Sequence, residues 1–298
     1  MFHEYSCENT DCQAPCLKDI ALGFFLLTHP GPVALFLGLV TVFALRASWP
    51  QPIWTTILLV IAAHAAMQFS ISMINDYCDR QLDANRPDKP IARGWVLPRE
   101  ALITGLIMIV VMVVLLLPLN PLALLVSLCY LALGQAYNLG LKSTRWSGIV
   151  LALMVSLIPL YVFAGVGHVS PVAFWMFLVG ILIGISLNVA NSLPDIEGDA
   201  SGGSKTLAVV LGVRRSIAAC PLLLALTIAL IAVLTASGLV PAQFWILAPT
   251  LTVAALTVGA LLFFLGHQSP GKAHKVFFYL VALTCFELAG GWFLAMKL

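Results

Sequence analysis

Apolar runs of about twenty residues alternate with short polar breaks along most of this chain. A helix that crosses a bilayer needs roughly 20 such residues, with a range of about 17 to 25. Nine segments meet or approach that length, at about 20–47, 53–74, 101–117, 122–139, 148–166, 172–193, 217–236, 244–265 and 276–296. The breaks carry Pro, Gly or Asn, as in Pro118-Leu119-Asn120-Pro121. The first segment is interrupted by Thr28-His29-Pro30-Gly31-Pro32, which predicts either an interfacial helix followed by a span or one kinked helix. The expected fold is an all-α membrane protein of nine helices in one bundle, covering 20–298, preceded by a polar, cysteine-bearing tail over 1–19.

One polar stretch breaks this pattern more sharply than the others. Between Asn75 and Gly94 lie Asp76, Asp79, Asp83 and Asp88 together with Arg80, Arg86, Lys89 and Arg93, four of the chain's thirteen acids and four of its fifteen bases. If it enters as a helix, at about 100° per residue, Asp76, Asp79 and Asp83 fall within roughly 100° of Asn75 and share one face. Carboxylates crowded in this way repel one another unless a cation sits among them. The pattern asks for a metal.

Composition narrows the class. The chain is 61% hydrophobic and only 9% charged, against about 25% charged in soluble domains. A net charge of +2, with bases scattered among loops, excludes a nucleic-acid surface. Of the seven cysteines, Cys129, Cys220 and Cys285 sit in apolar runs as small hydrophobes, while Cys7, Cys12 and Cys16 lie near His3 at spacings that match no standard zinc pattern. The polar, acidic tail before the first apolar run argues against a secretory signal.

Charge asymmetry sets the orientation. Thirteen of the fifteen Lys and Arg fall in the tail and alternate gaps, and only Arg46 and Lys297 lie on the other side. The positive-inside rule places the thirteen in the cytoplasm, with the N-terminus and the acidic stretch, and the C-terminus outside. In a prokaryote this means the cell membrane.

The acidic stretch has a counterpart. Asn191, Asp195 and Asp199 repeat the steps of Asn75, Asp79 and Asp83 at an offset of 116 residues, and Ser70 with Ser186 and Lys89 with Lys205 extend the match. An offset of four spans keeps the direction through the membrane, so the expected repeat is parallel. Two oxygen-rich half-sites facing one cavity suit Mg2+, which binds through one or two carboxylates, waters and phosphate oxygens. They suit a diphosphate held through Mg2+, with Arg86, Lys89, Arg93, Lys142 and Lys205 available to its outer oxygens. A diphosphate at a membrane rim points to a polyprenyl tail between the spans. The 29 aromatic residues offer faces to an allylic cation, although aromatics in spans also serve as packing.

The run Asn75-Asp76-x-x-Asp79-x-x-x-Asp83, followed by Asn85-Arg86-Pro87-Asp88-Lys89-Pro90-Ile91 and Gly94, resembles the first aspartate-rich motif of the UbiA superfamily of intramembrane prenyltransferases. Asp195-Ile196-Glu197-Gly198-Asp199, with Lys205-Thr206-Leu207 and Gly212, resembles the second, and Tyr137 to Lys142 the loop between them. The likeness runs from about Thr28 to the end. It implies a Mg2+-bound polyprenyl diphosphate and transfer of the prenyl group to an aromatic, quinone-precursor or lipid acceptor. By the resemblance, Asn75, Asp79, Asp83, Asn191, Asp195 and Asp199 hold the ions, Asp76 assists the catalytic carboxylates, and Tyr137 joins the bases at the diphosphate. The compact Asn85-Arg86-Pro87 loop is more similar to the archaeal-lipid, chlorophyll and tocopherol branches than to the 4-hydroxybenzoate branch.

Two other outcomes remain open at this point: a terpene cyclase in which the cation closes on itself, and a transporter or lipid-binding protein. Charge at one rim rather than at the midplane speaks against transport. Glu287, alone inside a span, is a functional candidate or a protonated, hydrogen-bonded acid. His64 is a candidate base or a satisfied interhelical histidine, and His29 is read with the same caution.

Overall fold

The computed structural model describes residues 15–266 and 272–297. Its helices run in the order α1 (Leu17–Leu27), α2 (Pro30–Ala47), α3 (Trp54–Asp79), α4 (Pro98–Leu116), α5 (Pro121–Asn138), a 3-10 turn (Leu141–Ser143), α6 (Ser147–Gly165), α7 (Val172–Ser192), α8 (Ile196–Ser201), α9 (Leu207–Leu211), α10 (Val213–Ala236), α11 (Phe244–Gly266) and α12 (Lys272–Ala295). Among the described residues nine of these are long and apolar enough to cross a membrane. Cys7 and Cys12 lie outside the described residues. Cys16 starts α1, with its thiol donating to Asp19 at 3.0 Å.

The first apolar segment divides in two. Pro30 and Pro32 cannot donate backbone hydrogen bonds to a preceding turn, so α1 stops at Leu27 and α2 begins at Pro30. His29, between them, has φ 51°, a left-handed conformation that costs a residue with a side chain roughly 1–2 kcal/mol. The chain therefore turns sharply at His29.

Helices α3 and α7, which carry the two acidic motifs, run through the middle of the bundle. Helix α3 packs on α2, α4 and α5, and α7 on α6, α10 and α12. The tightest contact joins α6 to α7. A Cβ on Gly184 would lie 2.4 Å from the Ala152 Cα, and one on Gly180 2.8 Å from the Ser156 Cα. Small residues four apart on both helices let the backbones touch, which is how helices associate where no hydrophobic effect separates them from lipid. Ser70 on α3 and Ser186 on α7 are both fully buried.

The main core runs through Phe43, Met67, Met112, Ile158, Tyr161 and Trp292, and a smaller cluster of Leu27, Met73, Val96 and Ala101 fastens α1 against α3 and α4. Large apolar side chains such as Leu58, Val110, Phe174 and Leu256 cover the outer surface, as a lipid-facing perimeter requires. At the rim opposite the acidic motifs, backbone and side chain lock together. The Arg46 guanidinium donates to the Met296 carbonyl at 2.6 Å, the Gln243 amide to that of Ala295 at 2.6 Å, and the Lys297 amide to that of Pro241 at 2.8 Å.

Candidate active site

Helix α3 ends at Asp79, earlier than the periodic reading through Asp83 implied. The chain continues in successive turns, with Asp83 donating its amide to the Asp79 carbonyl at 2.9 Å and Arg86 its amide to that of Asp83 at 2.9 Å. Asn75 donates to Asp79 Oδ2 at 3.1 Å. Across from it, Gly140 adopts φ 130°, which releases the chain from α5 into the 3-10 turn and aims Lys142 back at the motif. The Lys142 ammonium bonds Asn75 Oδ1 at 3.3 Å and forms a close ion pair with Asp79.

The second motif follows the end of α7. Asn191 lies in its last turn, and Asp199 on α8 donates its amide to the Asp195 carbonyl at 2.8 Å. Ser204 then bonds back to the Asp199 carbonyl at 2.9 Å, and the Lys205 amide reaches the Ser143 carbonyl at 2.8 Å, which binds this loop to the 3-10 turn. The two motifs thereby meet. Asp79 and Asp83 from one, with Asn191, Asp195 and Asp199 from the other, line a single cavity of about 260 Å3, together with Tyr137 and Lys142. Ser143, Ser192, Ser204 and Thr206 line it too. Of these hydroxyls only Thr206 belongs to a motif legible in the sequence, because isolated serines carry no periodic signal. Each stands next to a residue that is legible: Ser143 beside Lys142, Ser192 beside Asn191, and Ser204 and Thr206 on either side of Lys205.

The electrostatics differ between the halves. Asp83 has Lys89 and Arg86 each at 3.5 Å. Neither Asp195 nor Asp199 makes an ion pair among the described residues. Burial, and after it the neighbouring Asp195 charge, push the Asp199 carboxyl above its ordinary range. The hydrogen bond to Asp88 raises the Arg86 guanidinium, with Asp83 and Asp195 adding to its field.

The remaining predicted residues stand outside the cavity. Asp76, 3% exposed, lies beside Asp79 on α3 but is turned to the His29 and Lys89 side, taking Lys89 at 2.7 Å and His29 at 3.0 Å on the same oxygen, so the four oxygen-bearing residues do not share one surface. Arg93 stacks over Trp95 at 4.4 Å and donates to the Pro87 carbonyl. The Lys205 side chain is exposed. Arg86 is held by Asp88 at 2.8 Å near the cavity mouth. His64 is buried between the rings of Tyr130 and Tyr161, and Gln68, at 3.2 Å from His64 Nε2, donates to Tyr130 at 3.0 Å. Glu287 is half-buried on α12 and meets no cation among the described residues.

No three carboxylate, His or Cys side chains converge as a ready metal cluster among the described residues. Lys142 and Lys89 instead stand against Asp79 and Asp83 of the first motif. The cavity nevertheless fits Mg2+: Asp79, Asp83, Asp195, Asp199 and Asn191 line it with hard oxygens, and Mg2+ takes one or two carboxylates with waters and phosphate rather than a closed protein cage.

Residues 34–283 match the UbiA prenyltransferase family. The chain belongs to that family. Among its UbiA-family relatives, the digeranylgeranylglyceryl phosphate synthase of Pyrococcus abyssi is 35% identical over 48% of this chain and 52% of its own length. That of Natronomonas pharaonis is 33% identical over 65% of this chain and 71% of its own. The match therefore spans about half of the first relative and rather more of the second. In fold, a UbiA homolog from Archaeoglobus fulgidus solved with DMAPP and Mg2+ superposes with a TM-score of 0.69 at 18% identity, over 90% of this chain and 97% of that one.

Proposed function

We propose that this protein is an intramembrane, Mg2+-dependent prenyltransferase that moves a polyprenyl group from its diphosphate to a lipid acceptor, with release of diphosphate. The observation that carries this reading is the convergence of both acidic motifs and Lys142 on one cavity. Asp79, Asp83, Asn191, Asp195 and Asp199 hold the ions, with Asn75 orienting Asp79. Bound Mg2+ supplies positive charge to the oxygens of the departing diphosphate.

The protein's own groups act around that charge. Lys142 donates to the diphosphate and stabilises it as the C–O bond ionises, and Arg86 and Lys89 add field from the cavity edge. Tyr137 and the four hydroxyls donate to its outer oxygens. The prenyl tail lies in an apolar furrow shared by α2, α6, α7 and α12, where Leu39, Val155, Ile183 and Ala289 line two adjoining pockets. Leu187, one helical turn before Asn191, lines the same furrow, which supports a tail running from the acids into the bundle. Arg93 and Lys205 support the loops rather than the substrate.

The lipid acceptor is favoured because relatives named as digeranylgeranylglyceryl phosphate synthases make a glyceryl phosphate bearing two prenyl chains. An aromatic or quinone-precursor acceptor is the second reading, and it shares the same diphosphate chemistry. We also infer the parallel repeat offset by four helices, supported by Asn75 and Asn191 each lying in the last turns of a central helix. A cytoplasmic acid rim, and a division into a 1–19 tail and a 20–298 catalytic bundle, complete the reading. Purified protein given geranylgeranyl diphosphate, Mg2+ and a panel of acceptors yields a prenylated product by mass spectrometry, and Asp79→Ala and Asp195→Ala each lower its rate by on the order of 10²–10³-fold. Product formation that persists unchanged in both variants would sink the reading.

A further inference from the structure

Of Asp76, Asp79 and Asp83, Asp76 alone does not line the acid cavity, and it is almost fully buried. Its Oδ1 accepts from Lys89 at 2.7 Å and from His29 Nε2 at 3.0 Å, while its Oδ2 has no partner. A carboxylate that already holds a lysine only accepts, so the His29 Nε2 carries a proton and donates. Lys89 is shared. Its ammonium also stands 3.5 Å from Asp83, which lines the acid cavity. A continuous run of polar contacts therefore joins His29, Asp76, Lys89 and Asp83.

His29 makes this contact from a left-handed backbone conformation at the α1–α2 turn. A strained residue at a contact with a motif acid is the type of outlier that marks a functional constraint. Helix α1 reinforces the arrangement from above. Gly23 lies so close to the Lys89-bearing loop that a Cβ there would meet Val96 at 2.7 Å. Leu27 packs with Val96 and Met73 in the small second core. Helix α1, the loop and the motif end of α3 form one packed unit.

We propose that His29 and Asp76 are positioning residues for prenyl diphosphate binding: they fix Lys89, and through it Asp83, so that the α1–α2 turn sets the geometry of the acid cavity. This rests on the prenyltransferase reading. Asp76 acts here as an anchor for a lysine rather than as a metal ligand. Left unanchored, Lys89 is free to swing fully onto Asp83 and neutralise an oxygen that the diphosphate-bound ion needs.

The test uses the full chain in lipid nanodiscs, titrated calorimetrically with geranyl S-thiolodiphosphate, a diphosphate that does not ionise, in the presence of Mg2+. His29→Ala is expected to weaken its Kd roughly 3–30-fold, and His29→Gln, whose amide N–H reaches the same oxygen, restores it. In a Lys89→Met background, His29→Ala is expected to add less than about 2-fold, because its path of action is gone. Thermal melting of each variant separates this from loss of fold. Full additivity of the two substitutions, or failure of Gln to rescue at an unchanged melting temperature, overturns the proposal alone. If the unsubstituted protein itself does not bind the analogue, the prenyltransferase reading falls and this inference falls with it.

Discussion

In the first acidic motif every aspartate already has a cation: Asp76 has Lys89, Asp79 has Lys142, and Asp83 has both Lys89 and Arg86. In the second, Asp195 and Asp199 have none among the described residues, although both line the same cavity. Nearly identical spacings thus produce opposite electrostatic states. Before ligand arrives, the first half is self-neutralised and the second holds uncompensated negative charge. On the proposed function, the field that attracts a metal-bound diphosphate belongs to the second half, and the first supplies the lysine that changes partner when the phosphate comes.

The sharpest way to break this comparison is to remove that lysine. Lys142→Met is expected to slow turnover by on the order of 10²-fold, since a cation aimed at the leaving diphosphate is lost. The same variant frees Asp79, so substrate-free Mn2+ binding, followed by electron paramagnetic resonance, is expected to tighten. Unchanged Mn2+ binding would mean that Lys142 does not compete for the site. A smaller effect separates the halves by pH. Because Asp199 is pushed up by burial and by Asp195, Mn2+ binding is expected to weaken on acidification at a higher pH than an ordinary carboxylate near 3.8 would give, and Asp199→Asn removes that early loss.

The smallest effect concerns stability without metal. An acid whose folded pKa is raised favours the fold below its unfolded pKa, and this contribution is lost as pH rises through the folded value. At neutral pH the Asp199 charge is therefore a burden on the metal-free protein. Asp199→Asn is expected to raise its melting temperature by about 1–3 °C, whereas Asp79→Asn lowers it by leaving Lys142 unpaired. Shifts of the same sign in both variants would erase the distinction between the halves.

The spans and both motifs were legible because length, hydropathy and a 116-residue echo are one-dimensional signals. The division of labour within the first motif was not. Asp76 lies three residues before Asp79, an angular step of roughly 60° on a helix, and this counts as one face until α1 and the Lys89 loop close over one side of it. The lysine contacts were equally hidden, since Gly140 at φ 130° must first redirect the chain before Lys142 can reach Asp79. His29 read as part of a helix break, with nothing in its neighbours to indicate a partner 47 positions away.

The far rim, where Arg46, Gln243 and Lys297 join α2, α11 and α12 through main-chain oxygens, gives the bundle a spine. Separating the helices there breaks several hydrogen bonds at once. At the acid rim the links are of another kind, made largely by side chains, as between Lys142 and Asp79 or Lys89 and Asp76. Main-chain ties at one edge and exchangeable side-chain ties at the other give the two ends of the bundle different work, the first to hold the helices in register and the second to re-form around whatever the cavity takes up.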